Sequence, residues 1–238
     1  MKKLGIIGGA TWHSTALYYE QINRGIAHRL GGIHSASLVI ESLDFADYAA
    51  LQEKGDWANA DAIIVATAKR LACAGVEGLL LACNTMHKSA AAVVAEVSLP
   101  LLDIREATAA RIVGDGRSRV AMLGSRFTMT EPFARKPYED RGIQLIDLDP
   151  LWRAEVDRII YEELAAGRVV RESQRKLKTL ITELGKQKVQ AIVLGCTELV
   201  LAVDTRANVL PVYDTTAIHA RMAVDWMLSE QEEARAAA

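Results

Sequence analysis

Three segments of this chain occur twice, in the same order and at nearly the same spacing. Whatever fold it adopts must therefore hold two versions of one unit. "KLGIIGGATWHST" resembles "RVAMLGSRFTMT", with Gly8 against Gly124 at an offset of 116. "VEGLLLACNT" resembles "VQAIVLGCT", with Cys83 against Cys196 at an offset of 113. "LPLLDIREATAARI" resembles "LPVYDTTAIHARMA", with Asp103 against Asp214 at an offset of 111. Each match is short, and their common order is what indicates two homologous halves.

Short apolar runs at 4–7, 37–40, 78–82, 101–103, 119–123, 144–146, 191–194 and 209–212 read as strands. Longer amphipathic stretches at 15–29, 58–71, 85–97, 151–166, 170–184 and 216–228 read as helices. This alternation argues for parallel strands joined by crossover helices. The expected fold class is α/β, with two pseudo-symmetric lobes, each a mainly parallel sheet flanked by helices. The first lobe is expected over 1–98, completed by 210–238, and the second over 99–209. The terminal "EARAAA" is expected to fray.

Half of the 238 residues are hydrophobic and 24% are charged, the balance of a globular protein with ample core. A net charge of -2 gives no basic footprint for nucleic acid and no polybasic membrane patch. No run approaches the roughly 18 apolar residues of a membrane span. The opening "MKKLGIIGGATWHS" has too short an apolar run for a signal peptide. Three cysteines without framework spacing fit a reduced, cytoplasmic setting. Cys73 lies on a helical pattern and is expected to be a small core residue.

The other two cysteines stand where a strand hands over to the next element, and each is followed by polar residues. Cys83 precedes Asn84 and Thr85; Cys196 precedes Thr197 and Glu198. A thiol among the free N–H groups of a helix start ionises more easily, and the same groups hold a carboxylate. An anion bound there opposes thiolate formation, so one thiol ionises as part of a coupled pair. In doubly wound sheets ligands sit outside the carboxyl ends of strands. The ends "GGATWHST", "ACNT", "GSRFT" and "GCTE" are all candidates to line one site, with the two thiols facing each other across it. Two acid/base groups on opposite sides of one carbon suit inversion of a stereocentre: one removes a proton and the other returns one on the far face. Blander readings exist for several residues. His87, four residues after Cys83, suggests a Cys–His dyad or metal pair, but Cys196 has no matching His and no ligand cluster follows. It reads instead as a hydrogen-bonding helix residue, and Asp214 and His219 read as fixing the last strand–helix turn. "GIIGG" does not complete a dinucleotide fingerprint, and the charge-rich 168–188 segment reads as a solvated helix face.

The motifs "GGATWHST", "ACNTMHK", "GSRFTM", "GCTEL" and "LPVYDTTAIHA" resemble the cofactor-independent aspartate/glutamate racemase family over essentially the whole chain. The resemblance implies an active site between two lobes, no cofactor, no metal, a small amino-acid substrate and a homodimer. It implies Cys83 and Cys196 as the two catalytic bases, with Asn84, Thr85, Thr197 and Glu198 toward the substrate. Ala10 and Thr11, with Thr128 in the matching loop, would line the pocket. The chain departs from the pattern where aspartate-specific members place basic residues against the side-chain carboxylate. Gln52 and Glu162 stand there, and neither neutralises a second carboxylate, which leaves Arg126 or Lys88 to compensate. A racemase of neutral or varied amino acids is the alternative on the same site. Hydantoin racemisation, isomerisation and decarboxylation are related chemistries on such a scaffold. An amino-acid sensor without catalysis is the reading from a different class.

Overall fold

The computed structural model describes residues 1–236 and divides into two compact units, each an α/β sheet with its own core. The first spans Met1–Asp103 together with the chain from His219 onward; the second spans Ile104–Ile218.

The first unit runs β1 (Leu4–Gly8), α1 (Trp12–Leu30), β2 (Leu38–Ser42), α2 (Phe45–Lys54), α3 (Trp57–Cys73) and β3 (Gly78–Leu81). A 3₁₀ turn (Thr85–Ser89), α4 (Ala90–Glu96) and β4 (Leu101–Leu102) follow. All four strands are parallel, in the order β2-β1-β3-β4. Every residue of β1 and of β3 is buried, as expected of central strands covered on both faces. The helices dock by spacing: Tyr18, Ile22 and Ile26 fall on one side of α1, and Ala60, Ile64, Ala68 and Leu71 on one side of α3. Asp44 and Asp56 cap α2 and α3 by accepting the N–H of Ala46 and Asn59, and Gly55 ends α2 in the left-handed conformation.

The second unit runs α5 (Ile104–Gly114), β5 (Arg119–Gly124), α6 (Arg126–Thr130), α7 (Pro132–Glu139), β6 (Gln144–Ile146) and α8 (Pro150–Arg158). A π-helical segment (Ile159–Leu164), α9 (Arg171–Lys186), β7 (Ala191–Gly195), a 3₁₀ turn (Thr197–Leu201), β8 (Val212–Asp214) and α10 (Thr215–Ala236) complete the chain. Its sheet is again parallel, in the order β6-β5-β7-β8, so it repeats the first strand for strand. α10 starts on second-unit residues, but from His219 on it belongs to the first unit. There Ala220, Ala223, Val224, Met227 and Leu228 share a core with Leu4, Ile6, Leu80 and Leu102.

Several expectations need correction. Cys73 is exposed, because it is the last residue of α3 and lies off the buried face. The strand expected at 209–212 is Val212–Asp214; Asp204 accepts the N–H groups of Arg206 and Ala207 and turns the chain before Pro211. The ladder begins only where Ile192 N–H reaches the Pro211 carbonyl. The helix expected at 85–97 is a 3₁₀ turn followed by α4, and that expected at 151–166 widens into the π segment. The tail expected to fray ends outside the described residues. No described helix is long and apolar enough to cross a membrane.

The duplication is visible at atomic scale where β1 and β5 end. A Cβ built on Gly8 would lie 2.5 Å from the Thr15 hydroxyl, and one on Gly124 would press on the Thr128 hydroxyl and 2.9 Å from the Gly195 carbonyl oxygen. Gly124→Ala is therefore expected to destabilise the chain by about 1–3 kcal/mol. Gly114→Ala, where nothing lies within 4 Å, should be neutral or slightly stabilising. Urea unfolding of the two variants checks both; equal midpoints would show that the strand-end contact relaxes freely.

Candidate active site

In the first unit the apolar run of β3 continues for one more residue, Ala82, whose N–H donates to the Ile7 carbonyl. The chain then leaves the sheet at half-buried Cys83 and enters the 3₁₀ turn through Asn84 and Thr85, each 6% exposed. His87 secures this turn. Its Nδ1 lies 2.9 Å from the Cys83 carbonyl oxygen, which can only accept, so Nδ1 is assigned the proton. His87 Nε2 stands 3.9 Å from Asp103 Oδ1, at the end of β4. Behind it His219 is fully buried: Nε2–H donates to the Leu102 carbonyl, and Nδ1 accepts from the Tyr18 hydroxyl, each at 2.9 Å. Burial first, then the charge of His87, pushes the His219 pKa down to about 3. A ring so held is neutral at physiological pH.

Tyr48 of α2 shares this side of the unit. Burial first, then negative charge on Cys83, raises its pKa and keeps the phenol protonated. Gln52 and Ser89 are its polar neighbours and weakly favour the ionised form. They are not at bonding geometry: the buried Tyr48 and Ser89 hydroxyls have no hydrogen-bond partner among the described residues. Ala10 and Thr11, both buried, form the loop after β1; the Thr11 carbonyl accepts from Thr15, whose hydroxyl also accepts the Gly9 N–H at 2.8 Å. Lys88 stands over the Trp57 ring, with Nζ 3.6 Å from its centroid.

In the second unit β7 is wholly buried and ends at half-buried Cys196, the N-cap of its own 3₁₀ turn. The Cys196 thiol donates to Glu198 Oε2 at 2.8 Å, and the Thr197 hydroxyl donates to the same oxygen at 3.0 Å. Thr197 and Glu198 are 2% and 4% exposed. Thr128 is also buried, and its hydroxyl donates to the Ser125 carbonyl, so it holds the loop after β5. The Arg126 guanidinium binds Asp157 and lies over the Tyr161 ring. Glu162 sits on the π segment with a largely exposed side chain, 3.5 Å from Arg158. Its neighbour Glu163 is buried and takes bonds from Arg158 and Ser173.

Each unit thus gathers its predicted residues at the carboxyl end of its own sheet. Ala10, Thr11, Gln52, Cys83, Asn84 and Thr85 belong to the first, and Thr128, Cys196, Thr197 and Glu198 to the second. Among known proteins, residues 7–223 match the Asp/Glu/Hydantoin racemase family. The chain belongs to that family.

A crystal structure from Yersinia pestis, of a candidate Asp/Glu racemase, shares 43% identity and a TM-score of 0.88 with this racemase. The match covers 96% of this chain and all of that one. An aspartate racemase homologue from Pyrococcus horikoshii shares 32% identity and a TM-score of 0.80, covering 95% and 99% of the two chains. The broad specificity amino-acid racemase RacX of Bacillus subtilis is 27% identical over 168 residues, 71% of this chain and 72% of that one.

Sequence reasoning missed Tyr48 and Ser89, which carry no motif of their own, and the Tyr18–His219 contact, which joins residues 201 apart. That contact has a pH signature. The unfolded chain protonates His219 near pH 6.5 and the folded racemase only near 3, so its stabilising share is complete above pH 6.5 and is lost as pH falls toward 3. His219→Gln should lower stability at neutral pH yet flatten its decline between pH 6.5 and 4, by up to about 1.4 kcal/mol per pH unit. Parallel slopes for variant and wild type in urea titrations would show that His219 is not held neutral.

Proposed function

We propose that this racemase interconverts amino-acid enantiomers without a cofactor, with Cys83 and Cys196 as its two proton-transfer groups. One observation carries this reading. Two thiols occupy equivalent positions, just beyond the carboxyl ends of β3 and β7, in two sheets of identical order, and each is followed by buried polar residues. Removing a proton from an α-carbon leaves charge on the adjoining carboxylate, and preorganised donors are what stabilise it. Asn84, Thr85 and Thr197 are the groups we assign to that carboxylate. Ala10, Thr11 and Thr128 shape the loops around it.

For the side chain, the favoured substrates are amino acids without a second negative charge. Gln52 is neutral and buried beside protonated Tyr48. Lys88 is engaged by Trp57, Arg126 by Asp157, and Glu162 is acidic. The similarity to a broad specificity racemase supports this choice, whereas the likeness to a candidate Asp/Glu racemase supports aspartate or glutamate.

Proton NMR in D₂O, with reductant and no added cofactor, tests both points. A panel of L- and D-amino acids should lose α-hydrogen signal with inversion, neutral members faster than aspartate and glutamate. Cys83→Ser and Cys196→Ser should each abolish inversion, while one-sided exchange persists for a single enantiomer. Binding without α-exchange across the panel would identify an amino-acid sensor instead. Inversion confined to the acidic pair would overturn the side-chain assignment.

A further inference from the structure

The repeat that sets Asp103 against Asp214 also sets Leu102 against Tyr213. Carried on along the helices that follow, it sets Arg111 against Met222 and Asp115 against Trp226. In the first unit Leu102, Met222 and Trp226 meet in one apolar core. In the second unit the corresponding place holds Tyr213, Arg111 and Asp115, and it is charged. Asp115 accepts there from Arg111 Nε at 3.2 Å, from Arg117 Nη1 at 3.3 Å and from the Tyr213 hydroxyl at 2.9 Å. Arg117 Nη1 also donates to the Tyr213 hydroxyl. The Tyr213 hydroxyl, and then Arg111, hold the Asp115 pKa below the usual carboxylate range, so this carboxylate stays ionised and pins both guanidinium groups. The cluster forms one wall of a cavity of about 620 Å³, a volume that admits a small ligand.

Donors are left over around this cavity. Arg111 keeps both Nη groups, and Arg117 its Nε and Nη2, without an acceptor among the described residues. Arg206, whose N–H is held by Asp204 at 2.8 Å, lines the same cavity with a guanidinium that has no ion-pair partner among those residues. The acidic side is weaker. Asp115 is occupied by the bonds above. Asp214 Oδ1 takes the N–H groups of Thr216 and Ala217 at 2.9 and 3.1 Å, and burial raises its pKa. Three cationic side chains thus line the cavity against two acidic ones, an excess of one positive charge. We infer that this cavity binds a small phosphate dianion, either free phosphate or a phosphate monoester, between Arg111, Arg117 and Arg206. A guanidinium fork matches two oxygens of an oxyanion at a time. Three forks, from α5, from the loop before β5 and from the turn before β8, suit a tetrahedral group better than a planar carboxylate. Pro211 and Ile218 give the organic part of an ester an apolar wall.

Calorimetric titration of the full chain at low ionic strength tests the site with three probes: inorganic phosphate, glycerol 3-phosphate and succinate. Phosphate and glycerol 3-phosphate should each bind and raise Tm, and added salt should weaken both. Tighter binding of the ester would assign the cavity to monoesters, and equal binding would assign it to free phosphate. Arg206→Ala should weaken phosphate binding about tenfold or more, the loss of one charge-assisted contact, and Arg206→Lys should restore part of it. The Arg206 side chain bonds nothing else among the described residues, so without phosphate the Arg206→Ala chain should melt with the wild type. Arg111→Ala, at an exposed position, should weaken binding likewise. Absence of heat and of any Tm shift with phosphate, or binding that both alanine variants leave unchanged, would overturn the site and leave the cluster as a salt-bridge network around Asp115. Succinate bound as tightly as phosphate would overturn the tetrahedral assignment. These readouts involve no turnover, so they stand or fall apart from the two-thiol reading.

Discussion

Each sheet depends on the pairing of its first and third strands, β1 with β3 and β5 with β7, in unbroken parallel register. Apart from half-buried Arg119 at the start of β5, these strands are buried along their length. Buried polar side chains gather at the points where the ladders stop. Parallel ladders stop without a hairpin, and the freed backbone groups must be met by the next segment of chain. Here those segments are Gly-Ala-Thr, Cys-Asn-Thr, Ser-Arg-Phe-Thr and Cys-Thr-Glu. Close contact at the strand ends permits this: Gly8 and Gly124 leave room for a threonine hydroxyl against the backbone, and those hydroxyls tie the loops down.

Duplicating a sheet does not duplicate its chemistry. In the first unit the Cys83 turn is fixed from behind, through its carbonyl, by His87 in a buried cluster with His219, Tyr18 and Asp103. In the second unit the contact is made to the sulfur itself, by Glu198. The first device fixes a backbone; the second bonds a side chain. Desolvation shapes both, since it holds His219 neutral and concentrates the effect of one carboxylate on one thiol.

Much of this was legible in the sequence because central parallel strands read as plain apolar runs, and seven of the eight fell within two residues of their places. The eighth was misread because Val209 and Leu210 look like strand residues, while the Asp204 turn and Pro211 delay the ladder. Helices α2, α5, α6 and α7 were not foreseen; none is longer than 11 residues, which leaves few turns over which a period can show. Cys73 followed a helical period but fell on the last turn, where period no longer predicts burial. The paired cysteines were found because duplication marks them. Tyr48 and Ser89 were not, because only folding brings α2 to the Cys83 turn.

The path of α10 means that the ancient halves cannot be recovered by cutting the chain once. A fragment ending at Asp103 would leave Leu4, Ile6, Leu80 and Leu102 without the helix that completes their core, which is encoded more than a hundred residues later. The complementary fragment would carry that helix with its apolar face bare, a surface prone to self-association. The second unit is instead an insert within the first, with both of its ends joined to the same host. A dissection that respects this would excise 104–218 as one cassette and splice what remains, and complementation between halves made any other way would have to begin by trading a helix.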